Sequence, residues 1–154
     1  MNMPFPHYTQ HDAMDCGPTC LRIVAKHYGK TFSLEGLRER AHITREGVSM
    51  LGIAEAAENI GFRTIGVKIS IEKLKQISFP CIVHWNQNHF VVLYKIQKFE
   101  GLKIRKFLGF SEKNSYTLNS THLKLYVSDP AGGLLKYTEE EFCKCWYSSK
   151  QEAV

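Results

Sequence analysis

The apolar periodicity of this chain changes once, near Gly61, and that change restricts the architectures open to it. Before it, apolar residues recur at helical spacing. Cys20, Leu21, Val24, Ala25 and Tyr28 form one stripe, with Gly29 as a stop. Ser33 caps a second predicted helix, roughly Leu34 to Ala41, and a third runs from about Ser49 to Asn59, closed by Gly61 just after Ile60. After it, "FRTIGVKI" alternates like a strand, a short helix "IEKLKQ" follows Ser70, and "CIVHW" and "HFVVLYKI" are rich in β-branched and aromatic residues. Asn86-Gln87-Asn88 between those two reads as a hairpin turn. "LKIRKFLGF" and "HLKLYVSD" are further strand candidates, "DPAGG" is a turn, and Thr138 with Glu141 forms a capping box for a short last helix. Helices first and mostly antiparallel strands after them predict an α+β fold rather than alternating βαβ units.

The length of 154 residues suits one domain, 1–154, with a mainly helical part at 1–61 and a mainly β part at 62–154. The longest nearly apolar runs, "FPCIVHW" and "HFVVLY", are too short to cross a bilayer, and "MNMPFPHYTQ" does not read as a signal peptide. The expected location is therefore cytoplasmic, and the five cysteines are expected to be mostly free thiols. Net charge is +5, with seven Lys/Arg against two Glu between Lys95 and Lys124. That basic segment is read as a solvated loop or hairpin, since no recognition helix or RNA-binding aromatic motif accompanies it, and no nucleic-acid partner is expected.

The stretch "TQHDAMDCGPTC" carries the candidate chemistry. Cys16 falls at the start of the first predicted helix, where free N–H groups and the macrodipole favour a thiolate. Pro18 suits a first helical turn, and Gly17 would let a substrate backbone approach. Gln10 can offer a side-chain amide to an oxyanion beside the Cys16 backbone N–H. A base must come from elsewhere. His89 opens the strand "HFVVLY" after a polar turn, and Asp129 ends another strand just before Pro130, so the pair could complete a Cys–His–Asp triad. On residue types alone, a half-buried strand histidine and a turn-starting aspartate are an equal reading. His11 is a rival base, held too close to Gln10 on one short segment to turn freely toward Cys16.

Four segments, "QHDAMDCGPTCLRIVAKHYG", "REGVSMLGIAEAAENIGF", "PCIVHWNQNHFVVL" and "SDPAGG…EEFCKCW", together resemble the N-terminal peptidase domain of bacteriocin-processing ABC exporters. These are papain-like cysteine peptidases that remove double-glycine leader peptides. The resemblance implies an α+β papain-like fold, with a helical half packed on an antiparallel β half. It implies Cys16 as nucleophile, His89 as general base and acid, Asp129 as its orienter and Gln10 as oxyanion donor. Substrate contacts are expected at Gly17, Trp85 and Asn88, with apolar leader residues docking in a shallow groove. The implied partners are the leader peptide and the membrane and nucleotide-binding domains of an exporter, at the inner face of a bacterial membrane. No cofactor or metal is expected in the chain itself, ATP being used by the transporter domains. A leader-binding module without catalysis, or a papain-like acyl transferase, would share much of this pattern. The segment from Lys95 to His122 is longer than the family usually has and can extend a hairpin. The family's following domains are absent from the 154 residues, which reads as an excised domain in preference to a stand-alone peptidase.

Cys20 lies on the same helix face as Cys16, yet a zinc site requires four clustered ligands and Cys143 and Cys145 diverge on a helix by about 200°. Cys20 is therefore expected to be a buried hydrophobe. Asp12 and Asp15 are expected to cap or turn the chain, since a carboxylate beside Cys16 would oppose thiolate formation. Trp85 and His84 are placed either at the cleft border or in the core.

Overall fold

The computed structural model describes residues 4–44, 47–100, 121–147 and 152–154. The first part is helical: a 3-10 turn over Ala13–Asp15, then α1 (Cys16–His27), α2 (Leu34–Arg40) and α3 (Met50–Asn59). Each start has a local cause. Asp12 caps the 3-10 turn by accepting from the Met14 N–H, while Ser33 and Ser49 accept from the N–H groups of Gly36 and Gly52. Gly29 and Gly61 follow α1 and α3 with φ of 77° and 89°, the left-handed conformation that ends a helix.

Six strands then form one antiparallel sheet: β1 (Val67–Lys68), β2 (Cys81–Trp85), β3 (His89–Glu100), β4 (Thr121–Asp129), β5 (Gly133–Thr138) and β6 (Glu152–Ala153), in the order β1-β6-β2-β3-β4-β5. Helices α4 (Ile71–Leu74) and α5 (Glu139–Tyr147) accompany them. The predicted strand over "FRTIGVKI" shrinks to two residues, because only Val67 and Lys68 find a partner, in β6. The predicted turn between β2 and β3 forms, with Asn86 and Gln87 both at positive φ and the Asn88 N–H donating to Trp85 O at 3.3 Å. The described part of the Lys95–His122 segment extends the β3–β4 hairpin, paired out to Glu100 and Thr121. The strand candidate "LKIRKFLGF" lies outside the described residues.

The sheet is covered on both faces, which is why β2 and β3 read as nearly continuous apolar runs rather than as alternation. Ile82, Phe90 and Val92 join the core under α1, α2 and α3 with Leu21, Ile23, Leu37 and Ile53. Cys81, Val83, Trp85, Val91 and Leu93 point the other way, into a second core closed by Leu74, Phe142 and Trp146. Thr138 and Glu141 make the capping box anticipated for α5, the Thr138 N–H donating to Glu141 Oε2 at 2.8 Å and the Glu141 N–H to Thr138 Oγ1 at 3.3 Å. No helix among the described residues is long and apolar enough to cross a membrane.

Candidate active site

Cys16 is the first residue of α1, and α1 lies directly against β3. One sulfur contact helps to set that packing: the thiol of Cys20, one turn along α1, donates to Phe90 O at 3.2 Å. Phe90 follows His89, so the bond ties the start of β3 to the helix that carries Cys16. His89 Nε2 donates to Asp129 Oδ1 at 2.7 Å, and the same imidazole is hydrogen-bonded to the Cys16 thiol. The structure thus brings together three residues that stand 73 and 40 positions apart in the chain (89 − 16 and 129 − 89).

Each member is held by its own element. His89 follows the tight turn at Asn86-Gln87, whose left-handed conformation reverses β2 into β3. Asp129 ends β4, where its Oδ1 also accepts from the Ala131 N–H at 2.8 Å and the Gly132 N–H donates to its backbone O at 3.1 Å. The "DPAGG" turn therefore presents the carboxylate as well as reversing the chain into β5. Gln10 arrives through the main chain: its N–H donates to Pro130 O at 3.0 Å, next to Asp129. Gln10 Oε1 is buried with no hydrogen-bond partner among the described residues.

The electrostatics sharpen the pair. Burial lowers the His89 pKa, but the hydrogen bonds to Asp129 and Cys16 outweigh it and raise it from 6.5 to about 9. Burial acts to raise that of Asp129, yet the His89 bond and the Ala131 N–H hold it below its ordinary value. Burial pushes the thiols of Cys20, Cys81, Cys143 and Cys145 upward. Burial raises Cys20 well above 9.0, with Cys16 and Asp129 adding to it, and raises Cys81 to about 12. Burial also dominates the upward shifts at Cys143 and Cys145. Among the described residues no group of three or more His, Cys, Asp and Glu side chains could hold a metal ion.

The three expected substrate contacts fall in different places. Asn88 is exposed in the turn beside His89. Trp85 is not at the cleft: it is 3% exposed and packs on Phe142 and Tyr137, with ring centroids 5.1 and 5.3 Å away, because its position in β2 points it toward α5. Gly17 is buried inside α1 and its hydrogen face meets α3, not an open channel. A Cβ there would collide with Val48 Cγ1 and lie 3.0 Å from Ile53 Cδ1. Gly17→Ala should therefore destabilise despite the better helix propensity of alanine. Overpacking of roughly 1–3 kcal/mol against a propensity gain of about 1 leaves a fall in melting temperature of a few degrees, measurable by calorimetry. An unchanged melting temperature would mean that Val48 gives way freely.

His11 is exposed. Asp12 and Asp15 cap and turn the chain as expected, but Asp15 has a partner that sequence reasoning missed. Arg38 of α2 binds it through two nitrogens, at 2.6 and 2.5 Å. Nothing local marks Arg38, which reads as an ordinary solvated charge in "LRERAH" on a short helix, between Leu37 and Glu39. An apolar depression of about 600 Å³ lies beyond the other end of α1, with Val24, Tyr28, Phe62, Ile65, Ile77 and Val154 among its lining residues.

The model of the Peptidase C39 family matches residues 4–106. The transport/processing ATP-binding protein ComA of Streptococcus pneumoniae is 40% identical over 143 residues, covering 91% of this chain and 17% of the relative. The colicin V secretion/processing ATP-binding protein CvaB of Escherichia coli is 28% identical over 139 residues, covering 90% of this chain and 16% of that protein. The chain thus spans about a sixth of the length of these curated relatives. Among solved structures, a double glycine motif protease from an AMS/PCAT transporter, in complex with the leader peptide, superposes with a TM-score of 0.73 at 33% identity, over 96% of this chain and 87% of that one. The peptidase domain of Streptococcus ComA, a bifunctional ABC transporter of a quorum sensing pathway, gives 0.72 at 28% identity, over 97% and 96%. The fold is accordingly the α+β papain-like one expected of this sequence, and the chain belongs to the Peptidase C39 family.

Proposed function

We propose that this chain is a thiol endopeptidase that cleaves leader peptides after a Gly-Gly pair, with Cys16, His89 and Asp129 as its triad and Gln10 as oxyanion donor. The observation that carries the reading is the double engagement of His89. Its Nε2 is committed to Asp129 at 2.7 Å and its ring also bonds the Cys16 thiol, which leaves Nδ1 as the nitrogen that exchanges a proton with sulfur. A raised His89 pKa favours the imidazolium–thiolate form of the pair, the reactive one.

In this mechanism the Cys16 thiolate attacks the carbonyl carbon of the leader's last glycine. The carbonyl electrons move to oxygen, and the Gln10 amide with the Cys16 N–H receives the resulting oxyanion. Collapse expels the amine, which takes the His89 proton, and leaves a thioester on Cys16. Neutral His89 then removes a proton from water. The hydroxide displaces the thiolate, and the proton returns to the pair. Glycines at the cleavage point suit a channel that admits backbone and excludes side chains, while apolar docking elsewhere supplies the remaining selectivity. The depression beside Tyr28 and Ile65, which are 54% and 75% exposed, suits that docking. The 12 residues of α1 separate it from Cys16 by about 18 Å, a span of roughly five or six extended peptide residues.

The relatives' names support export-coupled processing: the chain would act beside the membrane and nucleotide-binding domains of an ABC exporter, at the cytoplasmic face of a bacterial membrane. The test is incubation with synthetic leader peptides ending in Gly-Gly and product identification by mass spectrometry. Gln10→Ala should lower kcat about 10²–10³-fold with little change in KM, as for loss of one oxyanion donor. An unchanged kcat would remove Gln10 from the site.

A further inference from the structure

A carboxylate immediately precedes the nucleophile, where negative charge opposes a thiolate, and the fold keeps it buried there. Asp15 is 1% exposed and sits at the N-cap position of α1, although its side chain makes no capping bond into that helix. Both of its oxygens are engaged elsewhere. Oδ1 accepts from Arg38 Nε at 2.6 Å, and Oδ2 accepts from Arg38 Nη2 at 2.5 Å and from the Asp12 N–H at 3.2 Å. The guanidinium comes from α2, with its side chain 39% exposed, and covers the acid from the solvent side. A fork-to-fork pair of this kind fixes geometry as well as charge.

We propose that Arg38 is a positioning residue for Cys16, cancelling the Asp15 charge and clamping the 3-10 turn that feeds the nucleophile into α1. This rests on Cys16 being the nucleophile. The charged and titratable groups around Cys16 divide into two sets. His89 from β3, Asp129 from the end of β4 and Cys20 from α1 itself lie on the catalytic side. Asp12 and Asp15 lie on the other, with Glu35 and Arg38 from α2. Glu39 and His42 line a surface depression together with Asp12, Asp15 and Arg38. Arg38 is the fixed cation of that second set. Without it, a buried carboxylate left with only the Asp12 N–H would lie one residue from the thiolate. Lysine keeps the charge but not the fork, so Arg38→Lys should restore function only in part.

The test is the rate of iodoacetamide alkylation at Cys16, located by peptide mass spectrometry, from about pH 5 to about pH 10. Wild type is compared with Arg38→Gln, Asp15→Asn and the double variant, and melting curves check folding. Arg38→Gln should displace the alkylation profile upward by roughly one pH unit, making Cys16 about tenfold less reactive near neutrality. Asp15→Asn should not slow it, and the double variant should return close to wild type because both charges are gone. A profile for Arg38→Gln that coincides with wild type overturns the inference. So does a double variant as slow as Arg38→Gln, since the effect would then not pass through the Asp15 charge. Should Arg38→Gln fail to fold, Asp15→Asn decides alone: slower alkylation there overturns the inference. A wild-type Cys16 no more reactive than Cys143 would instead remove the nucleophile assignment, a failure visible before any variant is made.

Discussion

Cys16→Ala should abolish cleavage of a Gly-Gly leader, an expected loss of about 10⁴–10⁶-fold, and should leave leader binding intact. No other thiol can take over. Cys20 is fully buried and its sulfur is spent on Phe90 O, Cys81 is buried with its pKa near 12, and Cys143 and Cys145 lie on α5. Burial keeps all four in the thiol form. The truncation removes one sulfur from a residue 4% exposed, so the fold should survive. Leader binding followed by fluorescence anisotropy, beside cleavage read by mass spectrometry, separates loss of chemistry from loss of structure. Cleavage at the wild-type rate would sink the thiol mechanism, and binding without cleavage in the wild type would mean a recruiting module.

Asp129→Ala should lower kcat by about 10³–10⁴-fold and change the pH profile in a stated direction. The wild-type His89 holds its proton up to about pH 9, because Asp129 and Cys16 both favour the imidazolium against the opposing effect of burial. Removing Asp129 removes the partner at 2.7 Å, so the proton is lost at a lower pH, nearer the ordinary 6.5. The sign is therefore fixed: the alkaline limb of the residual activity moves down, and wild type keeps its activity through pH 8 where the variant has lost its own. The same substitution frees the Ala131 N–H, which loosens the turn into β5. For that reason the pH profile, and not the rate alone, is the decisive reading. An alkaline limb that stays where it was would mean that Asp129 shapes the turn without acting on His89.

Much of this site is legible along the chain because its parts are local. Cys16 at a helix start, the Ser33 and Ser49 caps, the glycine stops, the Asn86-Gln87 turn and the Thr138–Glu141 box are each set by neighbours within a few residues, and each forms as its residue types require. Elements whose partners are distant were harder to read. β5 takes its strand character from pairing with β4, and β6 is two residues whose strand character comes entirely from β1 and β2. Trp85 followed the same rule. An aromatic at the end of a run apolar on both sides faces the cleft or the core according to strand parity and to what covers each face, and α5 covers this one.

Periodicity, caps and residue chemistry thus specify which elements form and which side chains are able to act, since those depend on dihedral preference and on functional groups. Assembly of the elements settles which of those side chains meet. Sheet pairing carries Asp129 to His89, a main-chain bond from Gln10 to Pro130 brings in the amide, and packing of α2 on α1 sets Arg38 against Asp15. These contacts close loops of 23 residues and more, and no local preference encodes a loop closure; only burial of the two apolar cores drives it.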